Sequence, residues 1–158
     1  MGIFVKKESY SAQDVRQMMQ PIIDLVKEIE KKASAIDGMS KDWISDTVET
    51  VALIYSFDAK CVAESQRLIQ LLLKGAMSSA AHSAAMKSLN FLSDQRDERF
   101  AFITQSLIDS GMPYKLGIEF HKNSWKRASE ISPKEIANFE KLMAGATKWD
   151  WINETSWT

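Results

Sequence analysis

Apolar residues recur three and four positions apart along most of the chain, the spacing of one face of an α-helix. From Ser11 onward they fall at Val15, Met19, Ile22, Val26, Ile29, Ala33 and Ile36. This predicts a first helix that begins at Ser11, whose hydroxyl can cap it. Asp14 stands where a carboxylate suits the positive end of the helix dipole. Pro21 lies inside the stripe and cannot donate to the Gln17 carbonyl. Either the helix kinks near Gln17–Pro21, or the main helix opens at Pro21. "DGMS", 37–40, ends this segment and offers Ser40 or Asp42 as the next cap.

The second helix is expected from about Lys41 to Lys74, with no Gly or Pro inside it. Its stripe is Ile44, Val48, Val51, Tyr55, Asp58, Val62, Ser65, Ile69 and Leu72. Gly75 is a natural stop. A third helix should run from about Ser79 to Asp109, with Ala81, Ala85, Leu89, Leu92, Arg96, Phe100, Ile103 and Leu107 on one face. Two long helices joined by a short turn predict an antiparallel hairpin, each arm about 45–50 Å long.

Each hairpin stripe carries one charged residue, Asp58 on one arm and Arg96 on the other. Pairing the arms about Ala76–Met77 makes the numbers of facing positions sum to roughly 154, which sets Asp58 opposite Arg96. An ion pair there would fix the register, because a slip of one turn would leave both charges unpaired. The competing expectation is that Arg96 reaches solvent along its aliphatic stem. It would then join Asp94, Asp97, Glu98 and Arg99 in a solvated charge cluster.

The small residues of "SSAAHSAAM", 78–86, should let that arm approach "RLIQLLL", 67–73, closely. Both arms also carry apolar residues off the main stripe: Leu53, Phe57 and Leu68 on one, Met86, Phe91 and Phe102 on the other. Helices apolar on two sides are covered on two sides. The first helix supplies one cover; the C-terminal segment or a second copy, making a homodimer, supplies the other.

After the loop-like "GMPYKLG", 111–117, a short helix is expected from about Ile118 to Ser129. "SPKE", 132–135, combines a capping Ser, Pro at the first helical position and Glu placed for a capping box. That last helix stops near Gly145. The fold class is therefore all-α: a helical bundle built on the long hairpin, with an N-terminal helix and short C-terminal helices. Its 158 residues suit a single domain, with 1–9 as an extended arm and 146–158 as a Trp-rich tail.

Composition changes this picture only by exclusion. A formal net charge of −1 gives no global attraction to nucleic acid or anionic membrane. No window approaches a membrane span, and the N-terminal segment has the reverse order of a secretory signal. Cys61 is the only cysteine, which fits a reducing, cytosolic setting. The two histidines, His82 and His121, sit in neither a Glu-x-x-His metal motif nor the Arg-x4-His motif of a helical ribonuclease. No phosphate-binding glycine loop and no Gly-x-Ser-x-Gly elbow occur. No metal, cofactor or catalytic residue is assigned.

The remaining expectation is a non-enzymatic protein-binding module of inhibitor, immunity or adaptor type. Trp149, Trp151 and Trp157 are its anchors, together with Asp94, Asp97, Glu98 and Arg99. The alternative is a nucleic-acid or polyanion binder using Lys115, His121, Lys122, Trp125, Lys126 and Arg127, a basic patch with aromatics interleaved.

Overall fold

The computed structural model describes residues 10–37, 39–109 and 114–142, and every regular element in them is helical. In chain order these are α1 (Ala12–Ala35), α2 (Trp43–Leu73), α3 (Ser79–Asp109), α4 (Tyr114–Ile131) and α5 (Pro133–Leu142). The chain forms an all-helical bundle.

Local chemistry accounts for the ends. Ser11 Oγ accepts from the Asp14 amide at 3.1 Å, and Asp14 Oδ2 accepts from the Ser11 amide at 2.8 Å, a complete capping box at the start of α1. The helix then runs unbroken through Pro21, so Pro21 does not open a separate helix. Gly75 ends α2 with φ of +74°, in the left-handed region that L side chains rarely adopt. The Ala76 amide donates to the Leu71 carbonyl and the Gly75 amide to that of Leu72, the paired bonds of a Schellman stop. α4 starts at Tyr114, four residues before the expected Ile118.

α2 is the axis of the bundle, and all four other helices pack against it. Its residues from Thr50 to Phe57 are buried without interruption. The stripe read from spacing is too narrow for this stretch, because α1 and α3 cover one side while α4 and α5 cover the other. Leu53, Phe57 and Leu68, off the main stripe, are buried as well. At its ends α2 leaves the core, and Ile44 and Ile69 are half exposed.

α1 and α3 also pack on each other, and α1 takes part of the small-residue run that was expected to face α2. Ala80, Ala81 and Ala84 line a groove shared with Val15 and Met19 of α1, while Ala85 is buried in the core. Phe91 and Phe102 depart from expectation: they are 62% and 67% exposed, so the outer side of α3 has no cover from the described residues.

Candidate interaction surface

The polar groups of the interior define what the fold holds rigid. Arg96 Nε donates to Asp58 Oδ1 at 2.8 Å and Arg96 Nη2 to Asp58 Oδ2 at 2.5 Å, a two-pronged pair between α3 and α2. The side chains are only 10% and 19% exposed. Arg96 also donates to Asp97 at 3.0 Å, and its guanidinium carbon lies 4.6 Å from the centre of the Phe100 ring. Burial pushes the Asp58 carboxyl up to about 6, against the pull of Arg96.

Beside this pair the Tyr55 hydroxyl lies 2.7 Å from Nδ1 of His121. The Tyr55 ring packs at 5.4 Å from Trp125 and at 6.0 Å from Phe100. Burial raises the Tyr55 pKa and lowers that of His121 to about 4, so both are neutral near pH 7. Trp125 Nε1 donates to Glu140 Oε2 at 2.6 Å, tying α4 to α5. Ser132 places its hydroxyl against that of Ser56 on α2. Burial, reinforced by the nearby Asp58 charge, lifts the Cys61 thiol to about 12, which keeps it un-ionised and a poor nucleophile at neutral pH.

These contacts decide where the basic-aromatic residues lie. His121 is 1% exposed and Trp125 2%, so both are core residues and neither offers a ring to an external base. Lys126 is exposed and Lys122 half-buried. Arg127 donates to Glu49 at 2.7 Å and to Glu130 at 3.3 Å, so acidic groups face its charge. The side chain of Lys115 lies outside the described residues. The six positions therefore do not form one surface. Their sequence spacing hides this, because α4 turns His121 and Trp125 inward and Lys126 outward.

The acidic-basic cluster of α3 is on the surface: Asp94, Asp97, Glu98 and Arg99 are all exposed. Arg99 lies 3.9 Å from Glu30 of α1. Trp149, Trp151 and Trp157 lie outside the described residues.

Beside the cluster a groove runs between α1 and α3. One section, of about 770 Å³, is lined by Tyr10, Val15, Met19, Ala81 and Ala84 among others; the next, of about 550 Å³, by Val26, Glu30, Phe91 and Leu92. Ile23, Lys27 and Ser88 belong to both sections. Early residues of α1 face early residues of α3 and later ones face later ones, so the two helices run in the same direction. The groove was not legible in the sequence, since Val15, Met19 and Val26 look like any core stripe. The usable signal was the position of Phe91 and Phe102 off the main stripe of α3.

Among the described residues no group of three His, Cys, Asp or Glu side chains could hold a metal ion, and no helix is long and apolar enough to cross a membrane. No protein-family model, curated protein or solved structure matches the chain.

Proposed function

We propose that this protein is a non-catalytic helical module that binds another protein through the outer face of α3 and the groove between α3 and α1. One observation carries this reading: two phenylalanines, Phe91 and Phe102, stand 62% and 67% exposed on one side of α3. They are eleven residues apart, about three helical turns, and so share a face. Phe91 also lines the groove, which joins the exposed anchor to a concave apolar surface. Aromatic side chains next to a pocket are the usual centre of a binding interface. Asp94, Asp97, Glu98 and Arg99, exposed on the stretch of α3 between them, supply charge suited to a polar rim. The activity types that fit are inhibition, immunity and adaptor binding.

The test is affinity capture from host lysate with the tagged full chain, beside a Phe91→Asp/Phe102→Asp variant. Both positions are exposed, so the variant should fold. Expected is a partner held by the wild type at 50 and 200 mM salt and lost by the variant. A partner retained by the variant overturns the reading. Nucleic acid captured by both proteins, with binding that collapses between the two salt concentrations, would support the polyanion alternative through Lys122 and Lys126.

A further inference from the structure

The groove between α1 and α3 has a charge opposite in sign to that of the whole chain. Arg16, Lys27 and Lys87 line it against the single acid Glu30, three positive charges less one negative, or +2. The formal net charge of the chain is −1. Glu30 is further offset by Arg99 at 3.9 Å. The walls between these charges are mainly apolar, from Val15 and Ala81 at one end to Val26 and Leu92 at the other, with Gln20, Ser88 and Gln95 among them.

Shape adds a second constraint. From Ala80 to Gln95 the α3 wall spans fifteen helical steps, about 22 Å, or just over four turns. Two side-by-side helices present ridges that a third helix can fill with residues at i, i+3 or i+4, and i+7. The α3 wall is small at one end, with Ala80, Ala81 and Ala84, and bulky at the other, with Phe91. A matching helix carries large apolar residues toward the first end and small ones toward the second.

We infer that the groove receives an amphipathic helix of a partner protein, about four turns long, whose apolar stripe is flanked by Asp or Glu. This rests on the protein-binding reading above and specifies its ligand. Arg16, Lys27 and Lys87 meet the acidic flanks. The charges speed encounter and select the partner, while the apolar stripe holds it.

The probes are two fluorescent helical 18-residue peptides with identical Leu positions, one flanked by Glu and the other by Lys. Each is titrated into the full chain and read by anisotropy. The Glu peptide should bind at least tenfold more tightly. Lys27→Glu/Lys87→Glu should reverse the order, and Ala84→Trp, at an exposed position that narrows the groove, should abolish binding. Equal binding of both peptides, lost in Ala84→Trp, overturns the acidic partner and leaves the groove as a docking site. Binding of neither overturns the inference, while capture by the Phe91/Phe102 pair still judges the broader reading separately.

Two other occupants give distinct results, and each overturns the inference. A second copy in the groove gives a dimer mass in sedimentation that falls to 17.9 kDa in Ala84→Trp. The chain's own residues 143–158 in the groove give peptide binding only after Trp149, Trp151 and Trp157 are replaced by Ala in the full chain.

Discussion

Arg96 grips both carboxylate oxygens of Asp58 across the packed faces of α3 and α2, at 2.8 and 2.5 Å. A pair this far from solvent loses much of its attraction to desolvation, so its value lies in register more than in stability. Each partner is costly to strand. Arg96→Met leaves a buried carboxylate behind and should destabilise the protein by about 3–5 kcal/mol. Asp58→Leu should cost less, because Arg96 keeps Asp97 at 3.0 Å. The double variant Asp58→Leu/Arg96→Met should return to about the wild-type stability. Urea unfolding of the four proteins checks this. A double variant as unstable as Arg96→Met would show that the pair itself holds the bundle together.

His121 predicts a pH dependence. Its pKa is lowered by burial from 6.5 to about 4, so the unfolded chain takes up a proton below about pH 6.5 that the folded chain refuses until about pH 4. The unfolded state binds more protons in that window, and stability falls as pH falls through it. Asp58 acts in the opposite sense. Its carboxyl is raised from 3.8 to about 6, so in that range the folded state holds the extra proton and stability rises as pH falls. Replacing His121 by Asn, which keeps an acceptor near the Tyr55 hydroxyl, separates the two slopes. The destabilisation caused by His121→Asn should shrink by about 2 kcal/mol between pH 7 and pH 5. An unchanged difference would mean that His121 titrates normally in the folded protein.

Gly75 isolates a backbone effect. A Cβ built there meets nothing within 4 Å, so Gly75→Ala creates no clash. Its φ of +74° still disfavours any side chain, and the expected cost is about 1 kcal/mol. For a chain of this size that lowers the melting temperature by about 2–4 °C. Calorimetry that finds no change would show that the turn between α2 and α3 relaxes into another conformation.

Much of the fold was open to local reasoning. The capping box at Ser11 and Asp14, the stop at Gly75 and Pro133 at the head of α5 are short-range features, set within a few residues. The positions of Asp58 and Arg96 followed from counting outward from a turn, because a helix rises by a constant step. The same reasoning failed on α4. Lys122, Trp125 and Lys126 are neighbours in sequence, yet helical rotation sends the tryptophan to the core and Lys126 to solvent.

What the sequence alone determined, then, is which segments are helical, where α1 begins and α2 ends, and which two charges would meet if the hairpin closed. Tertiary structure decided which apolar faces are covered. Thr50 to Phe57 became the centre of the molecule because α1, α3, α4 and α5 all close on α2, and Phe91 and Phe102 remained outside because no described helix docks on them. Periodicity reports the faces a helix owns. Which of them loses water depends on contacts such as Ser56 with Ser132 and Tyr55 with His121, made by residues 76 and 66 positions apart, whose pairing no local pattern encodes.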